Sequence, residues 1–388
     1  MPKQPRLVLD GMSEVFEMLR PFADEMFYDF GQVVNQSDSI YVIGRQQLLD
    51  NMPRIRAMCE DPCQTVIFNN SAEGSWTIHS QLLQLKIDDL VRQGKMLVIS
   101  GSKITQDHVC LTHEHLLTKI MDFEQTREAQ TWTDCVFDVK HKPYTFLFLN
   151  GRARPHRKYL YERMKRQGLL DRSLWTMLDA KPTVVRRFLL REDGIDIMAT
   201  ATPLQRLPDK YEVPRYRQPE FGPIVPDRTF LKQELFRREW GEIYLYHRPY
   251  VDTYFSLVTE TVCSESDISF RTEKIAKPLA MGHPFVVAAS RGFYRDLRDL
   301  GFQTFGAVID ESFDLIDHAQ SRMDRLIEVV SDLCRQDLGG FLDACRAICK
   351  YNQQHLVEFT QTHRQEFPSR FFQFIEQHAR SRIPSTGT

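Results

Sequence analysis

The stretch Tyr144-Thr-Phe-Leu-Phe-Leu-Asn-Gly-Arg-Ala-Arg-Pro-His-Arg-Lys158 decides how this 388-residue chain is read. Tyr144 to Leu149 is an apolar run of strand formers, and Asn150-Gly151 carries turn chemistry. Pro155 stands where the first turn of a helix tolerates proline, so a basic helix is expected over 155–167, closed by Gly168. Strand, turn and helix in this order form the unit from which parallel sheets are wound.

The same rhythm extends in both directions. Upstream, Met12 to Met26 predicts an amphipathic helix, and from Ser39 short strands alternate with helices. Ser39–Gly44, Thr65–Phe68 and Met96–Ser100 read as strands. Gln46–Cys59 and Ile78–Gln93 read as helices, the second ended by Gly94, and Asn69–Gly74 reads as a polar turn. Downstream, Ser173–Met177 and Val184–Leu190 are short apolar runs. The six prolines between Thr202 and Arg228 predict an irregular surface excursion. Tyr254–Thr259 and Pro284–Ala289 are expected strands; Glu273–Met281, Arg291–Leu300 and Asp317–Cys334 are expected helices. Phe341–His378 reads as helix broken at Pro368. The expectation is an α/β chain with an N-terminal α/β domain over 1–140, a C-terminal α/β domain over 141–340, and a helical tail over 341–388 packing back on both. A chain of this length is expected to form two domains. In open α/β sheets ligands bind beyond the carboxyl ends of the strands, which directs attention to 69–74, 150–157 and 260–274.

Composition narrows the classes. Lys and Arg number 50 against 52 Asp and Glu, a formal charge of −2, so a dedicated non-specific nucleic-acid binder is disfavoured. No stretch approaches the roughly 18–20 apolar residues of a membrane span, and no apolar core of signal-peptide length opens the sequence. The eight cysteines lack a second CxxC or a His pair at zinc-finger spacing and read as free thiols. Together these features predict a cytoplasmic protein with no membrane partner.

Two constellations carry chemistry. Around the start of the basic helix, Arg152, Arg154 and Arg157 offer forked donors where free backbone N–H groups and the helix dipole already favour an anion. A diphosphate suits such a site; the alternative is a solvated basic face. The second constellation combines Glu260 after a strand with Phe270-Arg-Thr-Glu-Lys274. Thr272 is placed to cap a helix whose exposed first turn carries Glu273 and Lys274. Glu273 could accept the hydroxyls of a ribose or sugar, and Lys274 could neutralise a leaving phosphate. An ordinary cap with a surface ion pair explains the same residues.

Strand, Glu260, loop, Thr272-Glu-Lys274, helix, then Gly282-His-Pro284 before an apolar strand resembles the donor-site signature of the α-1,3-fucosyltransferases. It resembles more closely a group of related phage and giant-virus proteins, which share an Arg-x-His-Arg helix start, a Gly-Phe-x-Thr-Phe run and an Asp-Glu-Ser segment. Here these are Arg154–Arg157, Gly301–Phe305 and Asp310–Ser312. The resemblance covers about 144–332. It implies a GT-B fold, two Rossmann-like domains facing a cleft, and an inverting, metal-independent transfer with no cofactor beyond a nucleotide-sugar donor. It places Arg157 on the donor diphosphate, Glu273 on hydroxyls, Lys274 on phosphates and Glu260 in the same pocket. Thr261 and Phe270 stand where the fucosyltransferases have Asn and Tyr, so GDP and fucose do not follow.

Inverting transfer needs a carboxylate base. Glu73, in the polar turn, and Glu114, between His113 and His115, are the candidates. Two acceptors remain open: a glycan, or a hydroxylated base in DNA as in phage-type DNA modification, where the host cytoplasm would be the setting. A non-catalytic nucleotide-binding or structural module of viral origin is the alternative from another class. A dinucleotide oxidoreductase is disfavoured because no G-x-G-x-x-G follows an expected strand.

Overall fold

The computed structural model describes residues 5–11, 13–71, 82–83, 85–101, 110–120, 133–152, 154–179, 204–206, 248–263 and 269–379. The chain divides into two units: unit 1, Met1–Leu116 with Thr360–Thr388, and unit 2, Leu117–Phe359.

Unit 1 is built on six parallel strands: β1 (Arg6–Asp10), β2 (Glu25–Phe27), β3 (Ser39–Ile43), β4 (Gln64–Asn70), β5 (Met96–Ser100) and β6 (Cys110–Thr112). Their order is β2-β1-β3-β4-β5-β6, so the direction of winding reverses between β1 and β3, as in flavodoxin-type doubly wound sheets. β3 and β5 are buried at every position, which is why they are continuous apolar runs rather than alternating ones. One face packs on Ile55, Met58 and Cys59 of the Met52–Glu60 helix and on Leu90 and Val91 of the Asp88–Arg92 helix. The other face, with Leu9, Val42, Ile67, Ile99 and Leu111, packs on Phe367, Phe371, Phe374 and Ile375 from the end of the Leu338–Ala379 helix.

Unit 2 holds β7 (Tyr144–Arg152), β8 (Leu174–Asp179), β9 (Leu204–Arg206), β10 (Thr253–Thr259) and β11 (Phe285–Ala288), ordered β11-β10-β7-β8-β9. Four strands are parallel and β9 pairs antiparallel on the edge. Winding reverses here between β7 and β10. The core joins Phe146, Phe148, Phe255 and Leu257 to Leu160 and Met164 of the Pro155–Arg166 helix, Ile275 and Leu279 of the Glu273–Met281 helix, and Met323, Leu326 and Val330 of the Ala319–Arg335 helix.

Several expectations need correction. The helix expected over 12–26 is a four-residue helix, Phe16–Leu19, then a 3-10 turn, Arg20–Phe22, then β2. The unit 1 sheet therefore begins at Arg6. The helix expected over 46–59 is two helices, Arg45–Asp50 and Met52–Glu60, parted at Asn51, with Pro53 in the first turn of the second. Asn150-Gly151 is not a turn: β7 runs through it to Arg152. Pro368 does not break the last helix, which continues from Leu338 to Ala379 with Phe367 and Phe371 buried on either side of it. Most of 202–228, and the run at 184–190, lie outside the described residues; within them, Leu204–Arg206 is strand rather than irregular. All eight cysteines are free thiols, and no described helix is long and apolar enough to cross a membrane.

Because Phe371 is wholly buried in the unit 1 core, Phe371→Ala should cost about 3–5 kcal/mol, measured as a lowered midpoint in urea unfolding.

Candidate functional site

At the carboxyl ends of β7 and β10, where the unit 2 sheet reverses its winding, five of the expected residues, Arg157, Glu260, Thr272, Glu273 and Lys274, meet around Glu260. Its backbone carbonyl accepts from His156 Nε2 at 3.0 Å and from the Arg157 guanidinium at 3.3 Å, and the same guanidinium donates to the Thr259 carbonyl at 3.0 Å. Its carboxylate accepts from Thr272 Oγ1 at 2.6 Å, from the Thr272 amide at 3.2 Å and from the Thr261 amide at 3.2 Å. One residue thus ties the start of the Pro155–Arg166 helix to the start of the Glu273–Met281 helix.

Local sequence explains each half. Thr272 has extended backbone and caps its helix, its hydroxyl accepting from the Lys274 amide at 3.2 Å. The helix ends at Gly282, whose φ of 58° is a left-handed conformation that suits glycine. The Pro155–Arg166 helix starts differently: Arg154 is extended at the N-cap and makes no side-chain cap, and Pro155 follows in the first turn.

Electrostatics divide the site into a buried base and a half-exposed rim. Glu260 is wholly buried, and burial raises its carboxyl pKa while the Lys274 charge pulls it back. Burial would also raise Glu273, but the Lys274 ammonium, its hydrogen bond and the charge of Lys277 outweigh it, leaving the carboxyl below its ordinary value. His156 is held well below the usual imidazole value by burial and by the neighbouring Arg157 charge. Lys274 pairs with Glu273 and lies 3.3 Å from the hydroxyls of Thr261 and Thr272, with its side chain 25% exposed. The site therefore presents a partly exposed ammonium, paired with a largely buried ionised carboxylate, beside a helix N-terminus without a side-chain cap. That set can hold an anion and accept hydroxyl groups.

The expected residues are not all alike. Glu273 was expected in an exposed turn and is largely buried, as is Phe270. Arg157 is 2% exposed, and its hydrogen bonds to main-chain carbonyls make it a support for the Glu260 segment. Arg154 is half-buried at the helix start, and Arg152 ends β7 opposite Asp179 of β8. Asn150 was read as part of a turn; its Oδ1 accepts from Thr259 Oγ1 at 2.6 Å and so fastens β7 to β10. The Gly301–Phe305 and Asp310–Ser312 motifs brace one another, Thr304 Oγ1 donating to Glu311 Oε2 at 2.9 Å. Asp314 beyond them accepts from the amides of Phe293 and Tyr294 at 3.0 and 3.1 Å.

Glu73 lies outside the described residues. Glu114 belongs to unit 1, buried just after β6. Beside it, His113 Nδ1 and His363 Nε2 are 2.8 Å apart, and Arg370 donates to the Thr112 carbonyl at 3.0 Å. Among the described residues no three His, Cys, Asp or Glu side chains are grouped to hold a metal ion.

The chain matches no protein-family model, no curated protein and no solved structure.

Two outcomes check this geometry. Thr272→Val removes both the cap and a donor to a buried carboxylate, and should cost about 1–3 kcal/mol in denaturant unfolding, whereas Thr272→Ser should be close to neutral. His363 is depressed by burial to about 4, so it stays neutral in the folded chain between about 4 and its ordinary 6.5 while the unfolded chain takes up a proton. Its contribution to stability is therefore complete above pH 6.5 and lost as pH falls toward 4. The slope of the thermal midpoint over that window should be shallower in His363→Gln.

Proposed function

We propose that unit 2 binds a nucleotide sugar at the ends of β7 and β10, and that the chain transfers the sugar to a hydroxyl as an inverting, metal-independent glycosyltransferase. What carries the reading is the joining of two helix starts through Glu260 at the point where the sheet reverses its winding. In it, the Lys274 ammonium and the uncapped start of the Pro155–Arg166 helix take the diphosphate, with Arg154 and Arg152 adding positive charge. Developing charge on the leaving diphosphate is stabilised by a fixed cation that needs no rearrangement. Glu273, ionised beside Lys274, accepts ribose or sugar hydroxyls. Phe270 and Thr272 shape the pocket, and Arg157 and His156 keep Glu260 in place rather than touching the donor.

Both acceptors fit this scheme. The exposed Lys165 and Arg166 on the basic helix favour a hydroxylated base in DNA; a glycan acceptor requires no such face.

A thermal-shift screen against UDP-, GDP-, ADP- and CMP-sugars tests the reading. A donor at 100 times its Kd stabilises the folded chain by about 2.7 kcal/mol, and one of the four should do so. Lys274→Ala should remove the shift and lower turnover by roughly 10²-fold or more, with the fold kept. If no nucleotide sugar raises the midpoint, the donor assignment fails; if one does but neither transfer nor hydrolysis follows, unit 2 is a nucleotide-binding module.

A further inference from the structure

The carboxyl edge of the unit 1 sheet carries a second concentration of buried polar groups, on the face covered by the Leu338–Ala379 helix. Leu9, Ile67, Ile99 and Leu111 lie on that face, packed against Phe367 and Phe371. Continuing the strand alternation past them brings Asn69, Ser71, Gly101 and His113 to the same side. Asn70, Ser100 and Thr112 are register partners across β4, β5 and β6, so Ser71, Gly101 and His113 form the next row. Ser71 is 0% exposed and His113 2%. Neither Ser71 Oγ nor His113 Nε2 has a hydrogen-bond partner among the described residues, and a buried polar group left unsatisfied is costly. Gly101, between them, contributes no side chain. The outer two stand two strand spacings apart, roughly 10 Å at the backbone.

The polarity of the His113 group is set by its partners. Arg370 Nη1 lies 3.5 Å from His363 Nδ1, and an arginine can only donate. His363 Nδ1 is then a lone pair, and the proton of this neutral ring sits on Nε2, where it is donated to His113 Nδ1 at 2.8 Å. His113 must in turn carry its proton on Nε2. Burial keeps both rings neutral, His113 well below its ordinary value, with His115, His363, Arg364 and Arg370 adding to the effect. The relay from Arg370 through His363 thus ends in a buried N–H that meets no acceptor among the described residues, and a relay headed by a cation strengthens its terminal donor.

The same edge has acidic groups. Glu114 is buried, and Glu14 accepts from Asn69 Nδ2 at 2.5 Å, while Asn69 Nδ2 also donates to Ser13 Oγ at 2.8 Å. These carboxylates offset the charges of Arg364 and Arg370, so the row suits a neutral ligand. We infer that the Ser71–Gly101–His113 row is the seat of a neutral, hydroxyl-bearing ligand of the sugar type, one oxygen accepting from His113 Nε2–H and a neighbouring group meeting Ser71 Oγ. The inference rests on unit 1 alone and stands or falls independently of the donor site in unit 2. Should both sites be real, His113 orients a hydroxyl and does not deprotonate it, because its Nε2 already holds a proton.

Long-range ¹H–¹⁵N spectra of the full chain read the His113 ring directly. The expected result is the Nε2–H tautomer, neutral at pH 7, whose resonance shifts saturably on titration with glucose, galactose or lactose in the absence of any nucleotide. Ser71→Ala should weaken that response by tenfold or more. His113→Phe should abolish sugar-induced thermal stabilisation and lower the unliganded midpoint, since the buried His363 Nε2–H loses its acceptor. The inference is overturned by a proton on Nδ1, by a linear or absent response to all three sugars (a buried water then fills the row), by an unchanged response in Ser71→Ala, or by a response to inorganic phosphate in place of the sugars.

Discussion

Unit 2 is organised around a carboxylate that the fold could not leave unpaired. Glu260 follows β10 in a fully buried position, where an ionised group without partners would be prohibitively costly. Three donors from Thr261 and Thr272 answer its side chain, and two basic side chains answer its carbonyl. Meeting that demand is what brings the starts of two helices to one strand end. The arrangement of Lys274 against Glu273 in the first turn results from the cap that Thr272 must form. Satisfying the buried carboxylate and holding the Lys274 ammonium at the surface against Glu273 are thus two results of one constraint.

Much of the fold could be read from the residues because it depends on local pattern. β3, β5, β10 and β11 are buried on both faces, so they appear as unbroken apolar runs. Gly94, Gly168 and Gly301 all have positive φ just after helical segments, where the sequence suggested they would end helices. Thr272, Glu273 and Lys274 were legible as a cap and first turn for the same reason.

The failures are equally physical. β1 is five residues long, and although Asp10-Gly11 marks its end, nothing local shows that so short a run pairs with β3. Asn150 is a poor strand former, yet its side chain is anchored to Thr259, more than a hundred residues away, and this long-range bond overrides local preference. Pro368 survives inside a helix because aromatic burial on both sides offsets the lost hydrogen bond. The pairing of His113 with His363 joins positions 250 residues apart. No window of sequence contains it, so the triplet His113-Glu-His115 looked like a local motif when its chemistry is tertiary.

The start of the Pro155–Arg166 helix has a consequence for engineering. Residue 154 is where an aspartate or serine would ordinarily sit, and the chain has an arginine with no cap in its place. A designer seeking a sturdier protein would be drawn to Arg154→Asp as a simple improvement. Such a carboxylate would settle on the amides of the first turn, and under the proposed donor site it would be a tethered competitor of the diphosphate. Under that proposal, robustness and ligand recognition are set against each other at this one position.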